Sequence, residues 1–169
     1  VRSISLIGTW MTNLAATWLL WRLTHSAEML GLLGFSAQVP TFVLASIAGV
    51  WVDRLNRHRL LVTTQTLAMI EAFTLAALAL SQTIQIWEIF ALQLALGVIN
   101  AFDMPTRQSL LVDLIEDRGD LSNAVALNSS MVNTARLIGP SIAGVLIAWV
   151  GEGWCFFADG VSYIAVIAS

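Results

Sequence analysis

Read as apolar runs and polar breaks, the chain divides into six long apolar stretches, at about 4–22, 30–52, 60–81, 86–103, 122–149 and 153–169. Each comes near the roughly 20 apolar residues that a helix needs to cross a hydrocarbon core. Between Met29 and Val52 no residue is charged. Two breaks are short: "SQTIQ" near 81–85 and "VGEGW" near 150–154. Short links make neighbouring helices antiparallel. Two breaks are long and charged, 53–59 and about 104–121. Alternation of the two kinds predicts the two faces of one membrane, and an all-α polytopic membrane protein folded as a six-helix bundle.

Composition agrees. Of the 169 residues, 57% are hydrophobic and 11% charged, where a soluble domain carries about 25% charged residues. Seven Trp and seven Phe against one Tyr suit helices with aromatic ends near lipid interfaces. A net charge of −3 argues against a nucleic-acid partner. Cys155 is the one cysteine, which excludes an internal disulfide. The chain starts inside "SISLIGTWM" and stops inside "YIAVIAS", so it reads as a fragment of a longer protein.

Every basic residue other than His is Arg, and the arginines are unevenly placed. Arg54, Arg57, Arg59, Arg107 and Arg118 fall in the two long links, with Arg2 on the same side and Arg22 on the other. Excess Arg marks the cytoplasmic side, so the long links are expected there. Within the second, "SLLVDLIEDRGDL" alternates Leu110, Leu111, Leu114 and Ile115 with Asp113, Glu116 and Asp117. That spacing suits a short amphipathic helix lying at the interface. Gly119 is expected to end it and Asp120 or Ser122 to cap the fifth span.

Topology does not account for Asp53. At the C-terminal end of the second span the helix dipole disfavours a carboxylate by roughly 0.3–1 kcal/mol. An acid there is expected to have a partner in another helix or loop, the alternative being a solvated interfacial acid. Around it, "GVWVDRLNRHRLLV" keeps Gly49, Asp53, Arg54, Arg57 and Leu61 at the spacing of G-x-L-A-D-R-x-G-R-x-x-x-L. This resembles the loop signature of the major facilitator superfamily. Trp51 stands where Leu is usual. Asn56 stands for Gly, and Asn tolerates a left-handed backbone better than most residues. "NAFDMPTRQSLLVDLI" and "NAVALNSSMVNTARLIGPSIAGVLIAWVGEGWCF" are similar to the branch that contains the enterobactin exporter and related efflux permeases. The likeness runs from about residue 4 to 169.

The resemblance implies a transporter of two six-helix bundles around a cavity that opens alternately to each side, this chain being the N-terminal bundle. It implies that helices one and four line the cavity, two and five face the other bundle, and three and six lie outside. It makes Gly49, Asp53, Arg54 and Arg57 a conformational gating loop. Arg107, beside the end of the fourth span, is the partner for Asp53 available in this chain. "ARLIGPSIAG" resembles the fifth-helix antiporter motif G-x-x-x-G-P-x-x-G-G: Gly139, Pro140 and Gly144 match, and Ala135 and Ala143 replace glycines.

Polar residues inside the spans supply the remaining candidates. Gln93, Gly97 and Asn100 share one helical face, as do Trp10, Asn13 and Thr17. Arg136 shares a face with Ser129, Asn133, Pro140 and Gly144. A central Arg costs about 2.5–3.5 kcal/mol on insertion scales, so it is expected to face protein or water. Asn13, Gln93, Asn100, Asn133 and Arg136 are therefore substrate-cavity candidates, with helix–helix hydrogen bonding the alternative for each stripe and burial against carbonyls the alternative for Arg136. Aligning Gly97 with the superfamily's fourth-helix R-x-x-Q-G puts Gln93 where many proton antiporters have Arg. Ionisable groups at membrane depth are functional candidates by default. Glu71 lies about 16 Å along its helix from the cytoplasmic end, and Asp159 lies shallow on the outer side. These two are the proton-coupling candidates, with a structural role the alternative.

No Ser-His-Asp set, metal-ligand cluster or phosphate-binding glycine loop is present, and His25 and His58 fall on opposite faces. No metal, cofactor or catalytic residue is expected, and a membrane-embedded enzyme is disfavoured. The reading is a secondary transporter in a bacterial cytoplasmic membrane. It exports small amphipathic molecules of the siderophore or drug class by proton antiport, with lipid, substrate, protons and the C-terminal half as partners. An uptake carrier of the same fold, or a truncated interaction module, are the alternatives.

Overall fold

The computed structural model describes residues 2–113 and 118–168. They form six α-helices: α1 Arg2–Thr24, α2 Ala27–Arg54, α3 Arg57–Leu80, α4 Ile86–Asp113, α5 Arg118–Val150 and α6 Glu152–Ile167. Among the described residues there is no strand. Four helical segments are long and apolar enough to cross a membrane: Ala27–Arg54, Arg57–Leu80, Ile86–Asp113 and Ser122–Val150. With 16 residues, α6 reaches only about 24 Å at helical rise.

Local signals set the links. Ser26 caps α2 by accepting from the Met29 amide, and Asn56 caps α3 by accepting from the Arg59 amide at 3.1 Å. Such caps contribute about 1 kcal/mol each. The role of Asn56 is a correction: its φ of −67° is not left-handed, so the residue is there for its side-chain oxygen. The turns with positive φ are His25, Gln82 and Gly151, all at the other end of the bundle.

The separate interfacial helix also needs correcting. α4 runs unbroken through Pro105 to Asp113, so Leu110 and Leu111 extend a long helix. Leu114, Ile115, Glu116 and Asp117 lie outside the described residues. α5 already begins at Arg118, so Gly119 lies within a helix and neither Asp120 nor Ser122 is its cap.

The main packings are α3 on α6, α2 on α4, α1 on α5 and α6, and α3 on α4. Small residues permit the closest approaches, as between membrane helices generally. A Cβ on Gly97 would lie 2.5 Å from the Ala37 carbonyl oxygen, and one on Gly139 would lie 2.6 Å from the Trp10 Cβ. Gly144 has open space instead. Of the two motif glycines, Gly139 therefore meets α1 and Gly144 does not. The apolar core gathers Ala15, Leu19 and Leu20 of α1 with Leu33, Leu75, Ile89, Ala143 and Phe156 from the other five helices. It occupies the end with the 25–26, 81–85 and 151 links. α2 and α5 keep the most exposed apolar faces, including Phe42 (87%) and Trp149 (85%). Faces like these are unfavourable in water and suit a hydrocarbon surround.

Candidate functional site

Towards the end that carries the 55–56 link, apolar packing gives way to a polar cavity of about 400 Å³. α1 contributes Ser5, Thr9, Trp10 and Asn13, and α4 contributes Gln93, Asn100, Asp103 and Arg107. Gln38, Gln65, Asn128 and Tyr163 come from α2, α3, α5 and α6. Helices one and four thus line it together, and three of the cavity candidates, Asn13, Gln93 and Asn100, sit on its wall. Gln93 is buried with its Nε2 unpartnered, as are Gln65 Oε1 and Asn128 Oδ1. Buried amides without partners are costly, and they leave donors and acceptors for a ligand or water.

The centre of the wall is Asp103, which the sequence reading passed over. It accepts from Thr64 Oγ1 at 2.8 Å, Gln65 Nε2 at 2.7 Å and Arg107 Nε at 2.5 Å. Arg107 is one turn on along α4, so the ion pair forms within one helix. With Arg107 held by Asp103, the expected Asp53–Arg107 pairing is not made.

Asp53 is instead 70% exposed and 3.5 Å from Arg57. Arg57 also pairs with Asp113 at the end of α4. This hydrogen bond, with the charges of Asp113 and Asp53, raises the Arg57 guanidinium above its ordinary value. Arg57 thus ties the ends of α2, α3 and α4, while Arg54 is exposed and Gly49 meets no neighbour.

The proton-coupling candidates do not line the cavity. Glu71 and Asp159 are both buried, between α1, α3 and α6, and lie within electrostatic reach of each other. Asp159 accepts from Thr12 Oγ1 at 2.7 Å and from Ser162 Oγ at 3.3 Å. Gly8 makes room for it, since a Cβ there would collide with Asp159 Oδ1. Glu71 Oε1 is buried without a partner. The sequence reading treated the two acids separately, because nothing in the spacing says that α3 and α6 pack together.

Asn133 and Arg136 are exposed on α5 and do not line the cavity. The Arg136 guanidinium lies over the Trp10 ring, 5.3 Å from its centroid, a cation–π contact worth about 0.5–1 kcal/mol at an exposed site. Burial against carbonyls is thus not its state. At the far end Arg22 pairs with buried Glu152, which gives the arginine at that end of the bundle its partner.

The six helices and the cavity among them are those of a membrane-spanning bundle. The family model described as transmembrane secretion effector matches residues 1–169, and the chain belongs to that family, as the N-terminal six-helix half of a major facilitator transporter. It is 31% identical over 162 residues to the staphyloferrin A transporter of Staphylococcus aureus, covering 95% of this chain and 41% of that protein. It is 26% identical over 148 residues to the multidrug efflux pump Tap of Mycolicibacterium fortuitum, covering 85% and 36%. An uncharacterized MFS-type transporter of Bacillus subtilis, YfiS, matches at 23% over 148 residues, covering 87% and 34%. The chain thus spans between about a third and two fifths of the length of these relatives.

Proposed function

We propose that the chain is the N-terminal half of a secondary transporter that exports small amphipathic molecules of the siderophore or drug class by proton antiport. The observation that carries this is the polar cavity between α1 and α4, with unpartnered amides on its wall. A relative named for staphyloferrin A and another named as a multidrug pump support the substrate class. The Arg-rich links face the cytoplasm of a bacterial cell, and the cavity opens towards them. A second bundle, outside this chain, supplies the opposite wall. Asn13, Gln93 and Asn100 contact substrate. Arg136, on its aromatic platform, faces the second bundle or substrate, with Asn133 one turn away. The Asp53–Arg57–Asp113 cluster, with Gly49 and Arg54, gates the cytoplasmic side, and Glu71 with Asp159 carries the coupling proton. The motif at Gly139, Pro140 and Gly144 lets α5 bend against its neighbours.

The test uses everted membrane vesicles from cells making the complete protein. An imposed inside-acid pH gradient is expected to drive accumulation of staphyloferrin A or ethidium, and a protonophore to abolish it. The Glu71→Gln/Asp159→Asn double variant is expected to lose the gradient response while still binding the probe. Accumulation of neither probe, or accumulation indifferent to the gradient, overturns the reading. Accumulation in right-side-out vesicles instead means uptake.

A further inference from the structure

The acid pair must exchange its proton with water, yet neither acid lines the cavity. Two rungs join α1 to α6 here, one turn apart. The deeper is Thr12 to Asp159 at 2.7 Å. The outer is Thr9 to Tyr163 at 3.2 Å, and both residues of this rung line the cavity. Asp159 and Tyr163 stand at i and i+4, so their side chains are neighbours on one face of α6.

We propose that the Tyr163 hydroxyl is the proton relay between the buried Glu71–Asp159 pair and the cavity, an inference that rests on the coupling role assigned to that pair above. Tyr163 is 4% exposed and lines the cavity, one turn along α6 from Asp159. The titratable groups around it are Asp159 on its own helix, Glu71 on α3 and Asp103 on α4, the last paired with Arg107. From α1 it meets the Thr9 hydroxyl. Thr9 has one hydroxyl proton and donates it to the Ser5 carbonyl at 3.0 Å. Tyr163 is therefore the donor to Thr9, and its own oxygen keeps a lone pair to accept. Relay takes one proton from a carboxyl to the Tyr163 oxygen as the phenolic proton passes to the Thr9 oxygen and the Thr9 hydroxyl proton passes to cavity water. The phenol is regenerated, one carboxylate forms and one hydronium leaves. Reloading is the reverse.

The complete protein in liposomes, subjected to a pH jump and followed by the infrared carboxyl band, tests this without a substrate. The band belonging to the pair is the one that Glu71→Gln or Asp159→Asn removes. Tyr163→Phe keeps the ring and removes the hydroxyl. It is expected to slow the band's response by about a hundredfold, the lower end for a lost proton-transfer group, with its final amplitude unchanged. Thr9→Val is expected to slow it as well, and Thr9→Ser to restore the parent rate. A Tyr163→Phe response as fast as the parent's overturns the relay. If the parent shows no titrating band from either acid, the coupling role itself fails, and the relay with it.

Discussion

At the residue scale, the balance of the cavity wall hangs on Asp103. Its three donors come from two helices, and hydrogen bonds to a charged group contribute about 1.5–3 kcal/mol each. Asp103→Ala leaves the half-buried Arg107 without its partner and is expected to lower thermal stability in detergent by about 3 kcal/mol at most. Asp53→Asn acts on an exposed group, and exposed ion pairs contribute little. Its expected outcome is unchanged melting with reduced transport and a shift towards the inward-open state. Equal melting losses in the two variants would contradict the contrast drawn here, and unchanged transport in Asp53→Asn would leave that acid a solvated residue. Asp103 escaped the sequence reading because the fourth span was ended at that position, before Pro105. With the helix continued, Asn100, Asp103 and Arg107 extend the face of Gln93 and Gly97, and the ion pair becomes readable. Arg22 and Glu152, 130 positions apart, offered no such signal.

At the scale of elements, two glycine contacts fix how α2 meets α4 and how α5 meets α1. Gly97→Ala drives a methyl into the Ala37 backbone, and Gly139→Ala drives one into Trp10 and the Ile7 carbonyl. Gly144→Ala meets nothing within 4 Å and gains helix propensity, about 1 kcal/mol at most. The first two are expected to melt several degrees lower in a fluorescence-detected thermal scan, and the third at or above the parent. Reversal of that order would contradict the helix pairing. The six helices were readable because runs of apolar residues carry their own length signal. Their ends were not: α4 passes a proline that reads as a stop, and Asn56 reads as a turn residue when it is a cap. Which helices line the cavity was implied by the resemblance, while which helices touch, and with it the meeting of Glu71 with Asp159, required the fold itself.

At the scale of the whole molecule, the apolar core lies towards one end of the bundle and the α1–α4 cavity towards the other. Cysteines placed at Asn56 and at Gln82, with buried Cys155 left in place, are expected to react with an impermeant thiol reagent from opposite sides of the membrane. Reaction of both from one side would invert or break the assigned topology. The account's central claim, that the α1–α4 cavity is the path of an alternating-access carrier, is tested most directly at Asn100 on the cavity wall. In the complete protein, Asn100→Cys is predicted to react with the impermeant reagent from the cytoplasmic side of everted vesicles. On imposing the pH gradient, its reaction is predicted to shift towards reagent supplied from the opposite side. A cysteine reached from neither side, or from one side at a rate the gradient does not change, would contradict it.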